Sequence, residues 1–129
     1  MEPLDDQGKA CGLTEASIRE AIMYPLSSSK IKVDRALAPA VFYVNVNTSY
    51  SKDRLCVSSV HMEARFYQNV TLKFSGDTML VEINLWRDGG ILFSPPSRHA
   101  AQITSGIEQY TKKFVTDWNL DNKPSTARN

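Results

Sequence analysis

The chain has 129 residues and a mass of 14.5 kDa, the size of one domain with its own hydrophobic core. Hydrophobic residues make up 42% and charged residues 22%, which excludes collagen-like, low-complexity and wholly disordered chains. The formal net charge of +1 lacks the basic excess of proteins that bind nucleic acids. No apolar run reaches the roughly 18–20 residues that cross a bilayer, so we predict neither a nucleic-acid partner nor a membrane-spanning segment.

Residues 1–12 are polar and predict a flexible N-terminal arm. They lack the charged start and apolar stretch of a signal peptide. Two interpretations follow: the protein is cytoplasmic, or it is exported and its signal peptide has been removed.

The first predicted helix begins after Thr14, a good capping residue, and ends or kinks near Tyr24 because Pro25 lacks a backbone N–H. Lys30–Asp34 alternates charged and apolar residues, which favours a short edge strand. Val41–Thr48 is rich in β-forming residues and predicts the second strand.

The longest predicted strand runs from Cys56 to Phe74, with mostly apolar even positions and polar odd positions from Ser59 to Arg65. So long a strand would overrun a small domain unless it bends, so we expect a bulge near Gln68–Asn69. Its first half should pair with the preceding strand and its second half with the following one.

Thr78–Trp86 predicts the fourth strand, with inward-facing side chains at Met79, Val81, Ile83 and Leu85. Glycines and prolines mark Arg87–Pro96 as a loop. A last helix begins near Ser97 and carries an apolar stripe formed by Ile103, Ile107, Tyr110, Phe114 and Trp118.

These elements predict an α+β fold with one domain over residues 13–120 and a polar C-terminal tail over 121–129. Adjacent strands joined by short turns are most simply antiparallel. We therefore expect a curved four-stranded antiparallel sheet, with the N-terminal and C-terminal helices packed on one face.

Cys11 and Cys56 have neither CxxC spacing nor a neighbouring histidine cluster, so a zinc site is not expected. They are either two unrelated thiols or one disulfide. The topology favours the disulfide, because Cys56 points toward the helix-covered face and Cys11 precedes a helix that packs there.

The order of these features resembles an uncharacterised family of small secreted proteins from proteobacteria. The resemblance rests on the Pro-led strand at Pro39–Asn47, the passage Met62–Val70, the strand end Leu85–Gly90 and the helical Phe114–Trp118 segment. It covers nearly the whole chain, although each motif alone is weak. It implies a periplasmic or secreted location and no known reaction.

Little in the sequence indicates catalysis. His61 and Glu63 lie on one strand face and suit proton transfer or metal binding, but an ordinary solvent-facing pair explains them more simply. There is neither a nucleophile elbow nor a phosphate-binding glycine loop. We predict no cofactor and no metal. The sequence favours a non-enzymatic protein without deciding the question.

Recognition of another surface is the leading functional hypothesis. Aromatic and arginine side chains are favoured at protein interfaces. The partner would be an unknown protein or a second copy of the chain. An alternative is a small-molecule-binding protein or minor enzyme with a pocket near residues 87–96. The candidate contact residues are Tyr43, Asn45, His61, Glu63, Arg65, Tyr67, Trp86 and Arg87. For Trp86, the alternative that it caps one end of the core is favoured.

Overall fold

The computed structural model describes residues 1–29, 31, 40–51 and 54–121. Its elements are α1 (Asp6–Ala10), α2 (Glu15–Ser27), β1 (Ala40–Ser51), β2 (Leu55–Thr71), β3 (Thr78–Ser94) and α3 (Pro96–Asp121). The strands form an open antiparallel sheet in the order β1-β2-β3. The α+β prediction is confirmed, with three strands in the described residues where the sequence predicted four.

The predicted edge strand Lys30–Asp34 lies outside the described residues, apart from Ile31. Ile31 is not in a strand and packs against the hydrophobic core. The polar tail predicted over 121–129 also lies outside them, apart from Asp121 at the end of α3.

The N-terminal residues, where the sequence predicts an arm, contain α1 and lie along β1. The Asp5 carboxylate caps α1 by accepting a hydrogen bond from the Gly8 amide at 2.6 Å. The Glu2 amide donates to the Val44 carbonyl at 3.3 Å, and the Leu4 side chain is buried. These contacts bring the polar N-terminus beside the sheet.

Helix α2 begins where the sequence predicts it and ends later. The Thr14 side-chain oxygen accepts a hydrogen bond from the Ser17 amide at 3.1 Å. Of the two predicted alternatives, an end or a kink near Tyr24, the end is wrong, because the helix continues through Pro25 to Ser27. Pro25 lies in the last turn, where the missing N–H removes one hydrogen bond and few others follow it.

β2 is the central strand of the sheet. Its residues 55–66 pair with β1, as predicted, and its residues 56–71 pair with β3. β3 therefore pairs with nearly the whole of β2, whereas the sequence predicted that it pairs with only the second half of that strand.

The irregularity of the sheet is a bulge on β3. Leu85 has no partner on β2, because the register shifts between Ala64 and Arg65. The bulge predicted near Gln68–Asn69 is wrong, since pairing there is regular. The sequence signal for the bulge lies on β3, where the alternation of apolar and polar residues is interrupted just before Trp86.

The predicted loop Arg87–Pro96 is also wrong. β3 continues to Ser94, and α3 begins at Pro96. Gly89 has a φ of 155°, and a Cβ built on it would lie 2.1 Å from the Val60 carbonyl oxygen. The glycine that the sequence analysis took for a loop signal is instead required for close backbone approach inside the sheet.

The hydrophobic core lies between the helices and one face of the sheet. α3 contacts β2 and β3, α2 packs mainly on α3, and α1 contacts β1. The buried core side chains come from the sheet and from α2 and α3, and include Val44, Val60, Met62, Ile18, Ile22, Ile103 and Ile107. We call this side of the sheet the covered face and the other side the open face.

A disulfide joins Cys11, at the end of α1, to Cys56 near the start of β2. Both residues are fully buried, and their Cα atoms are 6.2 Å apart. The bond closes a loop with a sequence separation of 45 residues and fastens the N-terminal segment to the central strand.

Residues 67–82 form a hairpin that extends beyond the last pair between β1 and β2; we call it the distal hairpin. Its apolar side chains are exposed: Phe74 by 88%, Leu80 by 65% and Met79 by 49%. Ile83 and Leu85, just beyond it, are exposed as well. The prediction that Met79, Ile83 and Leu85 face the core is therefore wrong, whereas Val81, the fourth residue of that prediction, is half-buried.

Candidate functional site

The open face brings together most of the candidate contact residues. The register sets Tyr43 opposite Glu63 and Asn45 opposite His61 between β1 and β2. On the other side of β2, Glu63 lies opposite Arg87. Since side chains alternate between the two faces of a strand, these residues project from the same surface, and so do Arg65 and Tyr67.

The Glu63 carboxylate is the centre of this surface. One oxygen lies 2.6 Å from His61 Nε2, and the other accepts a hydrogen bond from Arg65 Nε at 2.5 Å. The Glu63 side chain is only 12% exposed. The hydrogen bonds from Arg65 and, to a lesser extent, His61 lower the pKa of Glu63 below its ordinary value. The carboxylate is thus held ionised between two basic groups.

Arg65 connects Glu63 to the neighbouring strands. Its guanidinium lies over the Tyr43 ring, 4.1 Å from the ring centroid, as in a cation–π contact. Its Nε is also 3.3 Å from a carboxylate oxygen of Glu82 on β3. One side chain therefore ties all three strands together on the open face.

Glu2 belongs to the same surface, although the sequence analysis did not identify it. Its carboxylate accepts hydrogen bonds from the Tyr43 hydroxyl and from Asn45 Nδ2, the latter at 2.8 Å. The bond to Glu2 raises the pKa of the Tyr43 phenol. No periodicity links an N-terminal segment to a strand, so only the fold could reveal this contact.

Trp86 does not belong to the open face, which corrects its inclusion among the contact residues. Its ring contacts those of Phe42 and Phe114, with centroids 6.0 Å and 5.1 Å away. Its Nε1 donates to an Asp117 carboxylate oxygen on α3 at 3.0 Å. Because the bulge at Leu85 shifts the alternation, Trp86 closes one end of the core.

A shallow, open hollow of about 480 Å³ lies on the open face beside Gly89. His61 and Arg87 are among its lining residues. Gly89 lies opposite His61 on this face and carries no side chain there. It is the structural counterpart of the pocket expected near residues 87–96.

A buried polar chain crosses the covered face. His99 is fully buried, its Nε2 lies 2.6 Å from the Ser58 hydroxyl, and its Nδ1 lies 2.8 Å from the Ser94 hydroxyl. The Ser58 hydroxyl also lies 2.8 Å from the Thr48 hydroxyl. Burial lowers the pKa of His99, which favours the neutral imidazole.

This chain joins β1, β2, β3 and the first turn of α3. Its members are all buried or half-buried, so the arrangement suits cohesion of the core rather than chemistry on a substrate. Sequence patterns did not predict this chain of hydrogen bonds. A signal was present in Ser58, a hydroxyl on an otherwise apolar face, which requires a buried partner.

The described residues contain no group of three or more His, Cys, Asp or Glu side chains arranged to hold a metal ion. In the same part of the chain, no helix combines the length and apolar character needed to cross a membrane.

The comparisons with known proteins add no relative. The sequence matches no family model, no curated protein and no solved structure. The functional conclusions therefore rest on the residues and geometry described above.

Proposed function

We propose that the protein is an exported, non-enzymatic domain that recognises a protein partner through the open face of its sheet. The observation that carries the proposal is the Glu63 network. Polar and aromatic side chains from three strands hold one another in place on a face that no described helix covers.

Such a surface suits recognition because its side chains are ordered before binding. Each long side chain that is fixed in advance loses less conformational entropy when a partner arrives. The candidate contacts are Tyr43, Asn45, His61, Glu63, Arg65, Tyr67 and Arg87, to which the structure adds Glu2 and Glu82.

Export is supported by the cysteine pair. A buried disulfide is typical of proteins from oxidising compartments. The resemblance to small secreted proteobacterial proteins agrees with a periplasmic or secreted location. Alkylation of protein purified from its native source, with and without reductant, tests this directly. We expect no alkylation before reduction, and two free thiols would contradict the location.

The recognition surface is tested by placing a photoreactive benzoylphenylalanine at Tyr67 in cells that naturally make the protein. The matched control is the same substitution at Tyr24, a 63% exposed tyrosine on α2. We expect a specific adduct from position 67 and none from position 24. Adducts of equal yield from both positions, or from position 24 alone, would contradict the proposal.

A second variant locates the contact more closely. Glu63→Arg on the position-67 probe removes the carboxylate that anchors His61 and Arg65, so adduct yield should fall. Glu20→Arg, a charge reversal at an exposed position of α2, should leave the yield unchanged. Equal loss with both variants would indicate a charge effect unrelated to the open face.

The hollow beside Gly89 favours a second candidate function, in which the protein binds a small molecule or acts as a minor enzyme. His61 and Arg87 line it, and both suit an anionic group. Titration with acetate and with inorganic phosphate, followed by the NMR signals of the His61 ring, tests it. Saturable shifts that Arg87→Gln abolishes would support this candidate, and unsaturable shifts would exclude it for these anions.

A further inference from the structure

β3 is an edge strand with unusual exposure. It is 17 residues long, and among the described residues no strand pairs with its outer side. Side chains of Leu80, Leu85, Ile91 and Phe93 are exposed by 57% or more. Natural edge strands are usually short, or blunted by proline or lysine, because an open edge invites pairing with another chain. β3 has neither proline nor lysine.

We propose that β3 pairs antiparallel with β3 of a second copy, around a two-fold axis at the Leu85 bulge. The result is a symmetric dimer with one continuous six-stranded sheet. The proposal concerns the sheet edge, so it stands independently of what binds the open face.

The bulge makes this register possible. In a regular strand, residues on one face are separated by even numbers of positions. In β3 the bulge interrupts that rule, so that Glu82, opposite Tyr67, and Arg87, opposite Glu63, both lie on the open face. When β3 of two copies pairs about the bulge, each residue before the bulge in one copy lies opposite a residue after the bulge in the second copy. The side chains of such a pair project from the same face of the sheet.

The charges on the open face match in this arrangement. Glu82 of one copy lies opposite Arg87 of the second copy, and symmetry repeats the pair. Within the described residues Arg87 has no ion pair, because its neighbour Glu63 is already bound by His61 and Arg65. Opposite charges placed across an antiparallel pair stabilise it, and like charges destabilise it.

The shapes match as well. Leu80, which is 65% exposed, lies opposite Gly89 of the second copy, beside the hollow on the open face. A large exposed side chain thus meets a position without a side chain. Residue 89 must remain glycine, since a Cβ there would lie 2.1 Å from the Val60 carbonyl oxygen.

The dimer would also double the open face. Two copies related by this axis extend one sheet edge to edge, so both recognition surfaces lie on the same side. A partner with repeated or symmetric contacts could then engage both copies at once, which raises the apparent affinity.

The test is the solution mass of the full chain, measured by light scattering and by sedimentation equilibrium over a concentration series. We expect a dimer of about twice the 14.5 kDa chain mass. Glu82→Arg alone and Arg87→Glu alone should each weaken the dimer by at least about tenfold, since each places like charges opposite one another twice. The double variant restores opposite charges and should restore the dimer.

The control is Glu20→Arg on α2, which changes the net charge by the same amount and sign as Glu82→Arg and should leave the dimer intact. A circular dichroism spectrum and thermal unfolding of each variant show whether it is folded. A monomer at high micromolar concentration would overturn the proposal. This holds also if the protein is monomeric because other residues of the same chain cover the edge of β3. A dimer unaffected by both single reversals, or not restored by the double variant, would overturn it too.

Discussion

The two ends of the β2–β3 ribbon have similar sequences and opposite environments. At one end, Val60 and Met62 are at most 3% exposed. At the other end and on the same face, Met79 of the distal hairpin is 49% exposed and Ile83, just beyond the hairpin, is 36% exposed. Both ends carry apolar side chains on a β-strand. The difference shows that strand periodicity predicts backbone conformation, whereas burial depends on what lies above the strand.

Element lengths explain why only one end is covered. From His99 to Asp117, α3 rises about 27 Å, which matches the roughly 26 Å that β3 covers from Ser94 to Trp86. Hydrogen bonds join helix and strand at both limits, through His99 with Ser94 and Asp117 with Trp86. α3 ends at Asp121, while the ribbon continues into the distal hairpin.

The largest expected effect is at the disulfide of the covered end. Replacing both cysteines, Cys11→Ala with Cys56→Ala, reopens a loop with a sequence separation of 45. The chain-entropy estimate for such a loop is about 4 kcal/mol of unfolding free energy. Urea unfolding of the variant and the oxidised parent measures it. A loss below about 1 kcal/mol would show that the N-terminal segment contributes little to the core.

The next effect compares the two ends directly. Ile107→Ala removes a fully buried side chain and should cost about 2–5 kcal/mol in unfolding free energy. Leu80→Ala in the distal hairpin, measured in the monomeric Arg87→Glu background, should change it by less than about 0.5 kcal/mol. Equal losses would mean that the hairpin is packed against something in solution.

These two comparisons also show what the sequence could and could not predict. The α+β class, the last helix and the capping of α2 by Thr14 follow from local patterns, and the structure agrees with them. The end of β3 did not follow, because the sequence predicted that the strand ends at Trp86 and the structure continues it to Ser94. The glycines at 89 and 90 are loop signals locally, and only the neighbouring strand explains why they are needed inside the sheet.

The candidate site was predictable to the extent that it follows from strand alternation. Tyr43, His61, Glu63 and Arg65 were placed on the open face by period-two reasoning, and their mutual contacts agree with it. Trp86 lies at one end of the core, which was the favoured of its two interpretations, because a single unpaired residue, Leu85, reverses the alternation. The Ser58–His99 contact depends on tertiary packing that no local pattern encodes.

The third effect depends on pH and belongs to the covered end. Burial lowers the pKa of His99 below its ordinary value of 6.5, so the unfolded chain binds more protons than the folded one. The unfolding free energy should therefore be level above pH 7 and fall as pH drops below about 6.5, by up to about 1.4 kcal/mol per unit.

Urea unfolding between about pH 7.5 and 5 measures this slope, in a window above the range where carboxylates titrate. His99→Gln should remove the slope, at a cost in stability at neutral pH. His61→Gln, which changes a 46% exposed histidine, should keep it. If the pH dependence of the unfolding free energy persists in His99→Gln and disappears in His61→Gln, the responsible group lies on the open face instead.

The smallest effect is on the open face and changes a pKa with little change in stability. Arg65 is the main cause of the lowered pKa of Glu63, so Arg65→Gln should raise that pKa toward its ordinary value. The side-chain carbonyl signal of Glu63 followed by NMR through acid titration measures it. His61→Gln should raise the pKa less, and a larger rise with His61→Gln would reverse the assigned order of the two bonds.

Amide hydrogen exchange along β2 tests most directly the central claim that one strand has a covered end and a free end. Residues 60–62 lie between β1 and β3 beneath the helices, whereas residues 69–71 pair only with β3 in the distal hairpin. We predict that amides 60–62 exchange only through global unfolding and that amides 69–71 exchange at least about a hundredfold faster. Equal protection along the strand would contradict the account.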